Sequence, residues 1–405
     1  MAIFVGPTSG VTTAIFAGGG ATGAFVGLST TTTGRNAGVG TVTGAIIYNE
    51  TDEAMQFYNG TSWRDVTSPF SGSGGNIANG LQPGNGYAYH TYTSPGTLVI
   101  AGGTKTGCEV LVVGGGGGGG GSNNGGSDGG GGGGGGGLAI GSGIPIGPGT
   151  YNITVGTGGE GGPGNANQNS TPGCANKSAP FSGTAGETGN DSVFAASSPN
   201  SLKVTGKGGG GGGSGPNAGN AECGGSGGGG GGGGAATTDA GAGSNQPTAN
   251  PGYSYTLNVY GNDGGSGPTT PEFTGGGGGG AGGAGGNGGS GGPAKGGSSQ
   301  PVPSAWSMPV IGQPAWNPYS GQYAAGGSGG RQTNIVQGSP ISPNGTGGGS
   351  GGATTAEAGN GYDGTGGGGG GGAGASPYMP SPNTSNPRQI GGDGGPGMVV
   401  FRYPV

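Results

Sequence analysis

The stretch CEVLVVGGGGGGGG, residues 108–121, decides the fold. Its first half is an apolar, valine-rich run that fits a buried strand. Its second half has no side chains, and no turn residue separates the two. The strand therefore feeds straight into a glycine tract. Such tracts recur from Gly114 to Gly121, Gly129 to Gly137, Gly208 to Gly213, Gly227 to Gly234, Gly275 to Gly280 and Gly366 to Gly372. An isolated glycine tract has no reason to order, since fixing each residue costs roughly 1–2 kcal/mol of backbone entropy. Tracts packed side by side are a different case. An extended left-handed helix of three residues per turn makes no internal hydrogen bonds and points its N–H and C=O groups outward in three directions. Without Cβ atoms, neighbouring helices can approach until those groups pair. Each bond nets only about 0.5–1.5 kcal/mol, so many are required. At about 3.1 Å per residue, nine glycines span roughly 28 Å. The expected fold is mostly β and irregular: a polyglycine II helix bundle capped by short β-strands, with a small N-terminal β-rich attachment region. A disordered linker is the competing reading, because abundant Gly and Pro is also the composition of disorder.

Composition excludes the ordinary alternatives. Of 405 residues, 126 are Gly and 29 are Pro, while hydrophobic residues make up 28% and charged residues 6%. Globular domains carry about 45–50% apolar residues with Gly included, Gly itself being only about 7%, and about 25% charged residues, so no conventional apolar core runs through the whole chain. Long helices are excluded because Gly costs roughly 1 kcal/mol relative to Ala at an interior helix position. Collagen needs Gly at every third position, which solid runs break. The net charge of -6 comes from 10 basic and 16 acidic residues spread along the chain. No basic block exists to track a phosphate backbone, so no nucleic-acid partner is expected. The opening MAIFVGPTSG lacks the charged region and continuous apolar run of a signal peptide. No apolar run is long enough for a membrane span.

Four regions follow along the chain. Residues 1–45 read as an attachment region whose short apolar pieces, 2–5 and 14–17, are too thin to fold alone. Residues 46–70 read as a small hairpin or mini-sheet, with strands at 45–48 and 55–58, an Asn59-Gly60 turn, and a third element at 61–66. Tyr48, Phe57, Tyr58 and Trp63 are its expected core. A unit of about 25 residues is marginal alone, which points to a homo-oligomer, with a trimer as the natural arrangement. A hairpin packed on the following domain is the alternative. Residues 71–85 read as a linker, and 86–405 as the glycine-rich domain. In that domain, strands are expected at 87–93, 97–100, 108–113, 138–140, 151–155, 193–194, 201–204, 253–259 and 398–403, together forming a β-sandwich cap.

Chemistry is thin. His90 is the single histidine, and the three cysteines Cys108, Cys174 and Cys223 are too widely spaced for a metal quartet. Cys108 reads as a small buried hydrophobe. Gly-x-Gly-x-x-Gly patterns abound by composition alone, and none opens a βαβ unit. Neither a catalytic residue, a metal nor a cofactor is expected. The binding candidates are of two kinds. One is the tract PVPSAWSMPVIGQPAWNPYSGQY, residues 301–323, with Trp306, Trp316, Tyr319 and Tyr323. Rigid aromatics amid Ser, Asn and Gln suit recognition of a sugar or protein surface. They equally suit a lid over the glycine slab, and both readings stand. The other kind is the polar loops 122–128, 165–180, 235–251 and 376–387, the last carrying Tyr378.

The order of these pieces resembles the glycine-rich domain of tailed-bacteriophage tail fibre and tip adhesin proteins. The matching pieces begin with residues 86–93, EVLVVGGGGGGGG (109–121) and PIGPGTYNITVGTGGEGG (145–162). They continue through SLKVTGKGGGGGG (201–213) and the later tracts to GMVVFRYPV (397–405), covering most of residues 86–405. The segment 48–66 looks like a short unit common in viral fibre proteins. The resemblance implies a structural virion protein of the distal tail, joined to other virion proteins through its N-terminal region. Loops at the end of the bundle would bind a host cell-surface protein or glycan. A capsid-attached fibre or decoration protein of the same fold, and a secreted glycine-rich extracellular filament protein, are the alternatives. The chain departs from the usual pattern at 295–362, a long segment poor in pure glycine runs.

Overall fold

A computed structural model describes residues 28–38, 42–66, 70–122, 129–164, 184–197, 202–215, 221–232, 241–243, 255–268, 274–289, 294–306, 321–331, 348–349, 358–373 and 390–405. Two compact units result: Met1–Phe70 with Ala101–Gly103, and Ser71–Ile100 with Thr104–Val405. Among the described residues the chain is mostly β-sheet and irregular, with a single short α-helix.

The first unit holds β1 (Leu28–Thr30), α1 (Thr32–Gly38), β2 (Ile46–Asn49), β3 (Ala54–Tyr58) and β4 (Trp63–Asp65), in the sheet order β1-β2-β3-β4. The turn into β4 forms because Asn59 Oδ1 accepts the N–H groups of Thr61 and Ser62, each at 2.9 Å. Side-chain alternation splits the sheet into two faces. One buries Ile47, Asn49 and Gln56. There Asn49 Nδ2 donates to Asp52 Oδ2 at 2.7 Å and to Gln56 Oε1 at 3.0 Å. Arg35 of α1 donates to the same Gln56 oxygen at 2.6 Å, which seats the helix on this face. The expected aromatic core is therefore corrected. Tyr48 is exposed, Phe57, Tyr58 and Trp63 are half-buried, and the register puts Tyr48 and Phe57 on the face opposite Gln56. Tyr58 and Trp63 pair with each other, ring centroids 5.5 Å apart.

In the second unit, the strands are β5 (Ser71–Ser73), β6 (Ala78–Leu81), β7 (Tyr87–Tyr92), β8 (Gly96–Ala101), β9 (Lys105–Val113), β10 (Leu138–Ile146) and β11 (Gly149–Thr154). They continue with β12 (Ser192–Ala196), β13 (Lys203–Gly206), β14 (Thr256–Tyr260), β15 (Gln300–Pro301), β16 (Gln322–Tyr323) and β17 (Met398–Pro404). A six-stranded sheet runs β14-β10-β9-β17-β7-β6 and a five-stranded sheet β13-β12-β11-β8-β5. The two pack face to face through Tyr151, Phe194 and Phe401, whose rings stack at 5.3 and 5.7 Å. The other face of the six-stranded sheet carries Leu111, Val113, Met398 and Val400, covered by Val302, Trp306 and Tyr323. Burial on both faces explains why β9 and β17 read as unbroken apolar runs and not as alternation. Residues 71–85, expected to be a linker, contribute β5 and β6 to these sheets, a correction to the boundary drawn from their Gly and Asn content.

The glycine tracts continue the strands. β9 and β10 pair antiparallel up to Val113 and Leu138, and the pairing carries on as Gly114 N–H to Gly137 O, Gly117 to Gly134 and Gly120 to Gly131, at 2.8–3.0 Å. The residues between turn to other partners. Gly115, Gly118 and Gly121 donate to Asn190, Glu187 and Thr184, while Gly116 and Gly119 donate to Gly395 and Gly392. Partners thus rotate with a period of three. The carbonyls do likewise, accepting from Gly209 and Gly212, from Gly159 and Gly162, and from Gly369 and Gly372. The tract from Gly114 to Gly121 is therefore enclosed by six neighbouring segments, and so is the tract from Gly129 to Gly137. Such contact excludes any side chain. A Cβ on Gly116 would lie 2.0 Å from the Gly367 oxygen, and one on Gly133 would lie 2.1 Å from the Gly117 oxygen. Outer segments relax this demand on one side only. Gly156, Gly159 and Gly162 are buried, whereas Thr157, Glu160 and Pro163 face solvent. The tracts that start at Gly208, Gly227, Gly275 and Gly366, including Gly213, Gly280 and Gly372, join the same lattice; Gly234 lies outside the described residues. Parts of the unusual 295–362 segment fold back into it, with Gly297 N–H bonded to Gly278 O at 2.7 Å and Gly327 N–H to Gly133 O at 2.9 Å.

Candidate functional site

Hydrogen-bond pairing gives the glycine body two distinct ends. One is the sheet end, where Val113, Leu138, Ser192, Gly206 and Met398 enter or leave strands. The other is fixed by Gly121 N–H on Thr184 O, Gly129 N–H on Gly232 O, Gly275 N–H on Gly330 O, and the Ser122 hydroxyl on Ala373 O. Bridges between Gly129 and Ala373 and between Thr274 and Arg331 complete it. Ser122, Gly129, Thr184, Gly232, Thr274, Arg331 and Ala373 thus lie together. From them depart segments 123–128, 165–183, 233–240, 269–273, 332–347 and 374–389. Three of the polar loops singled out in the sequence, 122–128, 165–180 and 376–387, spring from this end, as does the start of 235–251. Tyr378 itself lies outside the described residues.

The aromatic tract 301–323 is placed differently. Trp306 and Tyr323 are buried against the six-stranded sheet, at 2% and 0% exposure. Both rings cover the apolar face of the six-stranded sheet and not the glycine slab, and their assignment as receptor contacts is corrected: buried rings offer no surface to a partner. Trp316 and Tyr319 lie outside the described residues.

A buried cation holds this cover. Arg402 on β17 packs its guanidinium 4.2 Å from the centroids of both the Tyr87 and Trp306 rings. It donates to Ala305 O at 2.6 Å and to the Tyr89 hydroxyl at 3.1 Å, and pairs with Glu109 on the adjacent strand. Sequence reading passed over this group, although a single Arg within GMVVFRY and a Glu at the head of EVLVV was a visible signal. Both stand in otherwise apolar strands, and buried charges need partners.

Burial governs the titration of three groups in the sheets. His90 is fully buried, with Nδ1 2.7 Å from Gly74 O, and burial lowers its pKa against the opposing pull of that hydrogen bond. Burial pushes the Cys108 thiol up to about 12, so it stays protonated and inert, as expected of a buried hydrophobe. Burial also lifts Tyr92 to about 12. Among the described residues, no three His, Cys, Asp or Glu side chains come together as metal ligands, and no helix is long and apolar enough to cross a membrane. Compared with protein families and with curated proteins, the chain matches none.

Proposed function

We propose that the chain is a structural virion protein of a phage tail, a tail fibre or tip adhesin, that binds the host cell surface through loops carried on a polyglycine II helix scaffold. The observation that carries this reading is the segregation of the two ends. The chain enters the second unit at β5, among the sheets, and the segments 123–128, 165–183 and 374–389 depart from the opposite end. A rigid body with an anchor side and a loop side is what a receptor-binding tip requires, since loops positioned by a stiff scaffold are where recognition concentrates. The three-residue rotation of hydrogen-bond partners supports the scaffold's assignment as polyglycine II helices. On this reading the host contact is a protein or glycan, the action is binding without bond-breaking, and the N-terminal region joins the protein to its neighbours in the virion.

The test is adsorption. Purified full-length protein is incubated with a panel of bacterial strains, and residues 376–387 and 165–180 are replaced in turn by short Gly-Ser linkers. Binding to particular strains, lost with one or other replacement while the far-UV spectrum is unchanged, is the expected result. Binding that survives both replacements, or no binding to any strain, sinks the reading.

A further inference from the structure

The sheet face under α1 is mixed: Asn49, Gln56 and Asp65, with Arg35 and Asp52 completing their hydrogen bonds, share it with Ile47, Tyr58 and Trp63. The opposite face carries two cross-strand rows fixed by the register. One row is Ile46, Phe57 and Arg64; the other is Tyr48 and Met55, with Val66 held beside them by its N–H bond to Met55 O at 2.6 Å. Ile46 is 48% exposed, Tyr48 38% and Val66 53%. Five apolar side chains thus form one patch on a sheet too small to supply its own core.

Charge identifies the occupant. Arg64 stands at one end of the patch, and along the strand direction the other end runs into the β2–β3 turn, where Glu53 sits. The remaining acids of that turn are engaged: Glu50 accepts from the Ser29 hydroxyl, and Asp52 accepts from Asn49 and Gln56. Among the described residues neither Arg64 nor Glu53 forms an ion pair. A two-fold axis in the sheet plane, perpendicular to the strands, reverses strand direction. It therefore brings Arg64 of one copy towards Glu53 of the other while the apolar rows meet between them. Isologous contacts of this kind need only one self-complementary surface.

We infer that the Ile46, Tyr48, Met55, Phe57 and Val66 face of the N-terminal unit is a homodimer interface, closed by a second copy of this chain with Arg64 set against Glu53. This differs from the three-fold arrangement suggested by unit size. It is also independent of host binding, because its readout is mass and not adsorption.

Full-length protein should show a dimer mass by light scattering at micromolar concentration. Phe57→Asp should reduce that to a monomer. Since Phe57→Asp can also unfold so small a sheet, a charge swap provides the second arm. Arg64→Glu alone should weaken the dimer at least tenfold, and Arg64→Glu combined with Glu53→Lys should restore it. A monomer at every concentration, a trimer, or a dimer indifferent to all these changes overturns the proposal. A monomeric protein whose Phe57→Asp variant fails only to incorporate into particles overturns it too, by assigning the face to another virion protein.

Discussion

The second unit is built from two interiors that share strands and obey opposite rules. Between the sheets, Tyr151, Phe194 and Phe401 fill space with side chains, and stability comes from apolar area removed from water, at about 25 cal/mol per Å². In the glycine body backbone fills nearly all the space, with only small side chains such as Ser226, Ser328 and Ala325 among it, and stability rests on a backbone hydrogen-bond lattice. The sheets therefore depend on side-chain volume, whereas the lattice depends on its absence. Continuity of β9 into the tract that begins at Gly114 shows how one passes into the other. Once side chains end, a strand limited to partners on two sides acquires them all round, from six segments.

Four substitutions or conditions probe that contrast, taken from the largest expected effect downward. Gly133→Ala should be the most damaging. Overpacked cores usually lose about 1–3 kcal/mol because side chains can shift, but here the clash is with a backbone oxygen enclosed by six segments. Loss of soluble, cooperatively unfolding protein is the expected outcome, and a normal denaturation curve would break the contrast. Phe401→Ala should cost about 3–5 kcal/mol, read as a lower midpoint in a denaturant titration of a protein that still folds. Acid comes third. His90 is held neutral by burial, so its folded pKa lies below the unfolded value of about 6.5. Above that pH neither state carries the proton. Below it the unfolded chain gains a proton that the folded chain refuses, so stability should fall until the folded pKa is reached. The ring lies against Tyr403, stacked at 5.8 Å, Phe401 at 6.1 Å, the backbone at Gly72 and the Gly74 carbonyl, with Lys105 beyond Tyr403; none supplies a carboxylate to offset the charge. A thermal midpoint that declines from pH 7 to 5 in the natural protein but not in His90→Asn is the expected signature. Smallest is Glu160→Ala, on the solvent side of an outer segment, which should stay within about 0.5 kcal/mol. Glu160 and Gly159 are chain neighbours, so a comparable loss at both would blur the line between inner and outer positions.

Much of this was legible in the sequence because strands and tracts announce themselves by side-chain type. Residues 108–113 and 398–403 were recognisable from apolar runs and 87–93 from alternating aromatic and small residues, and they fall on β9, β17 and, up to Tyr92, β7. What stayed hidden depended on partners distant in sequence. Helix α1, TTGRNAG, has poor intrinsic propensity; Thr31 caps it through a 3.1 Å bond from Gly34 N–H, and Arg35 ties it to Gln56. β5 and β6 are too rich in Ser, Gly and Asn to read as strands, and they exist because the sheet edges beside β8 and β7 accept them. Tyr48 and Phe57 were misassigned because aromatic residues were taken as core, whereas alternation puts them opposite the face that buries Ile47 and Gln56 and that Tyr58 and Trp63 share. For the candidate site, the polar loops were visible, but their gathering at one end is a property of the lattice. Trp306 could not be told from a surface aromatic until Arg402 and the sheet beneath it were in place.

The rotation of hydrogen-bond partners sets a reading frame for insertions and deletions. Adding one residue inside the tract from Gly129 to Gly137 would turn every later amide towards the wrong neighbour, so viable length changes there come in threes. The described lattice stops at Ser122, Thr184 and Ala373, so this restriction on length belongs to the tracts that run between those points and the sheets.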